Sequence, residues 1–146
     1  MKFIGINKVH QGKFITRYNC TYETSEGNLK EYELISRDSN ITSLEQLKCS
    51  KADAVVMIIH DEKNEKILLN KEFRMAVGEP VYNFPAGLID AGEIPEVAAK
   101  RELREETGLE LVSINKIWPV SYSAVGLTNE NEIIILNIRI LNTLYT

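Results

Sequence analysis

The chain has 146 residues, of which 44% are apolar and 26% charged. That length is close to one domain, and at this size about two thirds of the unfolded surface can be buried. The composition excludes a disordered or collagen-like chain. Seventeen Lys and Arg against 21 Asp and Glu leave a formal charge of −4, a poor bulk counterion for nucleic acid, so no nucleic-acid partner is expected. No apolar run approaches the roughly 20 residues of a membrane span. The longest, Ala54–Ile59 and Ile133–Leu136, are strand-sized. Polar residues interrupt the first eight positions too early for a signal segment, so the expectation is a cytoplasmic protein with no membrane association. Cys20 and Cys49 have neither a C-x-x-C spacing nor a nearby His pair, and are expected as two reduced thiols.

In chain order, Phe3–Val9, Phe14–Tyr22 and Leu29–Ser36 are rich in β-branched and aromatic residues. Gly-bearing turns separate them at His10–Lys13 and Ser25–Asn28. This predicts an antiparallel meander. Arg37–Ser50 is a polar connector with a short helix at Ser43–Leu47. Ala52–His60 and Lys66–Arg74 are two further strands, the first continuously apolar as if covered on both faces. Pro95 opens the one long helix, with strong helix formers over Glu96–Thr107 and Gly108 as its stop. Leu109–Tyr122 and Glu132–Leu141 return to β character. The class is α+β. The division falls near residue 50, with an N-terminal antiparallel β unit over 1–50 and a helix-bearing unit over 51–146.

The chemistry concentrates in Gly87–Leu109. Residues three and four apart share a helix face, so Glu102, Glu105 and Glu106 project to one side. Three carboxylates this close repel one another unless a cation sits among them. Magnesium takes such oxygen ligands together with substrate phosphate. Arg101 is four residues before Glu105 and is placed to reach back to Glu93, pinning the preceding loop to the helix. The competing reading is a solvated acidic helix face.

The spacing decides between them. Gly87, five residues, Glu93, seven residues, Arg101-Glu102-Leu103, one residue, Glu105-Glu106, one residue and Gly108-Leu109 resemble the Nudix box at every defined position. The resemblance implies a Nudix-type α/β/α sandwich with a mixed sheet. It implies a loop-helix-loop that binds a divalent metal (Mg²⁺, or Mn²⁺ in its place) and hydrolyses a nucleoside diphosphate linked to another group. It further implies Glu102, Glu105, Glu106 and the carbonyl of Ala86 as metal ligands, Glu93 and Arg101 as supports of the catalytic helix, and Gly87 as the site of close approach.

Outside the box, Glu72-Phe73-Arg74, Pro85–Asp90 and Gly126–Glu130 resemble the ADP-ribose pyrophosphatase branch. The implied reaction splits ADP-ribose or a related ADP-sugar into AMP and a sugar phosphate. Glu130 is then the general base, or else a solvent-exposed loop glutamate. Arg74 contacts substrate phosphate, or else is a strand-end surface arginine. Glu132 is read as facing water. Tyr18, Tyr22 and Tyr32 are candidates for stacking on adenine, with the N-terminal unit as the element of a homodimer. Val125 and Asn83 depart from the branch pattern, which carries Pro and Glu there. The chain stops at Thr146, where relatives continue through another strand and helix, so the second helix of the sandwich is expected to be missing at the short C-terminus. Two other readings stay open: a Nudix hydrolase of another nucleoside diphosphate derivative, and a nucleotide-binding module without turnover. His10 and His60 show no ligand spacing.

Overall fold

The computed structural model describes residues 1–48, 51–61 and 63–141, with side chains through residue 136. Cys49 and the chain end after Leu141 lie outside the described residues. The chain divides into two units, Met1–Lys51 with Tyr122–Asn131, and Ala52–Ser121 with Glu132–Thr146.

The first unit is built on three strands, β1 (Lys2–Gln11), β2 (Thr16–Glu23) and β3 (Leu29–Ser36), paired antiparallel in sequence order. The period of two along β2 sends Thr16, Tyr18 and Cys20 inward, where Tyr18 and Cys20 meet Leu34 and Ile41. Tyr18 is therefore core, not a stacking surface. It is fully buried, donates from its hydroxyl to the carbonyl of Asp38 at 2.8 Å and accepts from the Ile41 N–H. Tyr22 stands edge-on to Phe3. Tyr32 is exposed and donates to the carbonyl of Gly126. Burial pushes the Cys20 thiol up. The short helix α1 (Leu44–Leu47) starts at Ser43, whose hydroxyl caps the Gln46 N–H.

The second unit has a sheet in the order β7 (Ala86–Leu88), β4 (Ala54–Ile58), β10 (Asn131–Leu141) and β8 (Glu110–Ile117), with β9 (Ser121–Tyr122) paired to β10. β4 and β10 are parallel and the other pairings on this path are antiparallel. The continuous apolar run of β4 does not make it equally buried on both sides. Val55 and Met57 are fully buried, while Ala54, Val56 and Ile58 are half-buried. The long β run after residue 109 is split by Pro119, which lacks the N–H a continuous strand needs.

The helix α2 (Pro95–Thr107) covers one face of this sheet. Pro95 takes the first turn, where a missing N–H costs nothing. Gly108 ends the helix at φ 71° and donates its N–H to the carbonyl of Arg104, a left-handed cap that suits glycine. Ala98, Ala99 and Leu103 face inward among Val55, Met57, Ile59, Leu109 and Ile135. The two alanines allow a close approach, and Leu103 fills the remaining space.

A separate hairpin, β5 (Asn70–Arg74) and β6 (Glu79–Asn83), turns at Gly78 with φ 74°. A strand at residues 79–83 is not among those read from the sequence. In a two-stranded ribbon Pro80 has an open edge and is tolerated.

Leu103→Ala opens a cavity under α2. The expected cost is about 2–5 kcal/mol in urea unfolding, with the native circular dichroism spectrum retained.

Candidate functional site

β7 is the edge strand nearest to where the chain turns into α2, so the loop 89–94 is short and the helix runs back over the strand. This brings Glu102 and Glu106, one helical turn apart, against Gly87 and Ala86. Gly87 has an ordinary backbone conformation, so flexibility is not what the glycine supplies. A Cβ there would fall 1.9 Å from Glu102 Cδ. Gly87 is the space that the Glu102 carboxylate occupies. The main-chain N–H of Ala86 donates to Glu106 Oε2 at 3.2 Å.

Arg101 binds the loop to the helix. Its Nε and Nη2 donate to the two carboxylate oxygens of Glu93 at 3.1 and 2.8 Å, a bidentate fork. Nη2 also donates to the carbonyl of Leu88, and Nη1 to Glu102 Oε1. Glu105 Oε2 lies 3.7 Å from Nη1, but that side chain is mostly exposed. The hydrogen bonds to Glu93 and then to Glu102 raise the Arg101 pKa, so it stays charged at every accessible pH. In return Arg101, with the Asp90 N–H, holds the Glu93 carboxyl below its ordinary value of 4.5.

Glu106 goes the other way. Burial pushes its carboxyl up, and the charges of Glu102 and Glu72 add to the rise, while the N–H groups of Ala86 and Asn70 oppose it. Glu72, Asn70 and Asn83 come from the inner face of the β5–β6 hairpin. Asn70 Nδ2 donates to Glu106 Oε2 at 2.7 Å, and Asn83 Nδ2 to Glu72 Oε1 at 2.9 Å. Sequence reasoning misses Asn70. Its signal is a period of two, which puts Asn70 and Glu72 on one side of β5.

Arg74 closes β5, more than half exposed, with its Nε 3.2 Å from Glu72 Oε1. Glu130 belongs to the first unit, and there it is no free surface glutamate. Its Oε1 accepts from Arg37 Nε at 2.8 Å, and its N–H donates to the hydroxyl of Thr128. Glu132 is half-buried on β10 and is not the water-facing residue expected.

Among the described residues no three acidic, His or Cys groups are gathered as a ready cation cage. Glu102 accepts from Arg101, and Glu106 accepts from Asn70 and the Ala86 N–H. The donor set nevertheless has the chemistry of a hard dication site: carboxylate oxygens in excess of positive charge, over main-chain polar groups of β7.

The family model described as NUDIX domain matches residues 50–138, more than half the chain. The chain belongs to the Nudix family. It is 36% identical over 103 residues to the ADP-sugar pyrophosphatase of Mus musculus, covering 68% of this chain and 44% of that protein. It is 48% identical over 71 residues to the ADP-ribose pyrophosphatase of Saccharomyces cerevisiae, covering 49% and 30%. This chain thus spans less than half of either relative. A crystal structure of an ADP compounds hydrolase shares the Nudix fold, with a TM-score of 0.73 at 22% identity over 97% of this chain and 69% of that one.

Two outcomes follow from this geometry. Gly87→Ala leaves the backbone unstrained but displaces Glu102 from Arg101. The expected cost is about 1–3 kcal/mol in urea unfolding, the scale of a lost charged hydrogen bond. Glu93→Gln tests the linkage. A carboxyl held low in the fold contributes stability that is fully present above its unfolded pKa and lost as pH falls through the folded value. The variant is therefore less stable than the parent at neutral pH. In urea titrations repeated down the pH scale, the gap closes in the acid range below 4.5.

Proposed function

We propose that this chain is a divalent-cation-dependent pyrophosphatase that hydrolyses ADP-ribose or a related ADP-sugar to AMP and a sugar phosphate. The observation that carries the reading is the seating of two α2 glutamates on β7, Glu102 in the space over Gly87 and Glu106 on the Ala86 N–H. The names of the mouse and yeast relatives support the choice of substrate.

In this reading Glu102, Glu105, Glu106 and the Ala86 carbonyl hold Mg²⁺, with Mn²⁺ able to replace it. When bound, the cation neutralises diphosphate oxygens and lowers the pKa of a water. The chain's own residues do the rest. Arg101 and Glu93 keep the loop and helix in register, so that Glu102 stays over β7. Gly87 gives the Glu102 carboxylate the space it occupies there. Arg74 offers its planar fork to a phosphate oxygen. Glu130, carried by the resemblance of the Gly126–Glu130 loop, accepts the proton of the attacking water.

No helix among the described residues is long and apolar enough to cross a membrane. The reading places the enzyme in the cytoplasm as a homodimer joined through residues 1–50, with no nucleic-acid partner.

The test is a panel of ADP-ribose, other ADP-sugars, GDP-mannose and dinucleotides with Mg²⁺. ADP-ribose is expected to yield AMP, EDTA to stop the reaction and added Mg²⁺ to restore it. Glu106→Gln is expected to lose about a hundredfold or more in kcat/KM with its melting temperature kept. Cleavage of another nucleotide but not ADP-ribose would refute the substrate. Tight ADP-ribose binding with no product over hours would refute the hydrolase.

A further inference from the structure

Asn is a poor strand former, and a half-buried strand position ordinarily takes a β-branched or aromatic residue. Asn70 opens β5 all the same, half-buried. Its neighbours explain the choice. Asn70 pairs across the hairpin with Asn83 and shares its face with Glu72, and this is the less exposed face. Lys71, Phe73 and Tyr82 point to the other side, where the Lys71 ammonium lies over the Tyr82 ring. Apart from Val81, the less exposed positions on the inner face of the hairpin are thus polar, and its amides are engaged with carboxylates.

The geometry at Glu106 is asymmetric. Asn70 Nδ2 and the Ala86 N–H donate to the same oxygen, Oε2, at 2.7 and 3.2 Å. Among the described residues no hydrogen bond reaches Oε1. An ionised carboxylate only accepts, so the amide must turn its NH₂ toward it. Two donors on one oxygen fix the plane of the group and draw charge from Oε2, while the lone pairs of Oε1 stay uncommitted. A Lys or Arg at position 70 would also donate, but it would cancel the negative charge. An amide orients the carboxylate and leaves its charge intact.

We propose that Asn70 is a positioning residue. With the Ala86 N–H it clamps Oε2 of Glu106 so that Oε1 is presented to the divalent cation. This rests on the reading of Glu106 as a cation ligand, and the experiment separates the two claims. Mn²⁺ binding is measured by calorimetry and by the Mn²⁺ paramagnetic resonance signal on the full chain. The proteins compared are the parent, Asn70→Leu (similar volume, no donor), Asn70→Gln (donor kept on a longer arm) and Glu106→Gln. Asn70→Leu is expected to weaken Mn²⁺ about tenfold, the lower end of what partners of metal ligands contribute, with the melting temperature unchanged. Asn70→Gln is expected to regain part of that loss. If Asn70→Leu binds Mn²⁺ as tightly as the parent while Glu106→Gln binds it weakly, the clamp is refuted and the ligand reading stands. If Asn70→Leu melts lower and Asn70→Gln recovers no affinity, Asn70 is structural and the proposal falls. If Glu106→Gln binds as tightly as the parent, or the parent binds no Mn²⁺, the ligand reading fails and takes the clamp with it.

Discussion

Arg101 has four carboxylates within 4 Å: Asp90, Glu93, Glu102 and Glu105. One guanidinium cannot neutralise four acids, but its flat fork can choose which of them it fixes. It spends two bonds on Glu93, one on Glu102 and one on the carbonyl of Leu88. These bonds grip the loop 89–94 at both ends and tie it to the helix that follows. A lysine has one donor centre and could not make the set. The tie between the loop 89–94 and α2, and with it the positions of Glu93 and Glu102, depends on this hub. The negative charge left over after Arg101 is what a hard dication would complement.

The hairpin β5–β6 supplies the complement to that hub. Arg101 brings positive charge to the loop side of the cluster, and the hairpin brings a neutral donor to Glu106 and both an amide and Arg74 to Glu72. The difference has a physical consequence. Glu93, facing a cation, is held low, whereas Glu106, partly buried and beside like charges, is pushed up against the pull of its two N–H donors. Two glutamates of one loop-helix unit thus have opposite environments. The first suits a structural strut and the second suits a ligand whose charge awaits a partner.

Of the three candidate tyrosines in the N-terminal unit, Tyr18 alone is fully buried. Tyr18, Tyr22 and Tyr32 alternate with polar residues along β2 and β3, yet they have three different fates: core, edge-to-face pair and exposed hydroxyl donor. The segment Tyr122–Asn131 groups with these strands despite its distance in sequence. The Ile35 N–H donates to the carbonyl of Leu127, and the Arg37–Glu130 pair lies nearby. A loop glutamate that looks solvated in the sequence is in fact tethered.

Local order was legible because its causes are local. Pro95 and Gly108 bound α2, Ala98, Ala99 and Leu103 mark its buried side, and the separation of Glu93 from Arg101 puts their side chains in reach once a helix forms. The meander of β1–β3 was legible for the same reason, since Gly-bearing turns and a period of two act within a few residues. The sequence by itself therefore determined the helix, the loop and the acidic turn. What only the tertiary structure decided was which groups meet them. Asn70 is 36 residues from Glu106, and the second strand of the hairpin carrying it contains Pro80, a residue that open edges tolerate and sheet interiors do not. That Gly87 makes room for a carboxylate rather than for a turn also depends on the packing of α2 on β7. Contacts of that range follow from how helix and sheet close over the buried core around Leu103, and no spacing along the chain encodes them directly.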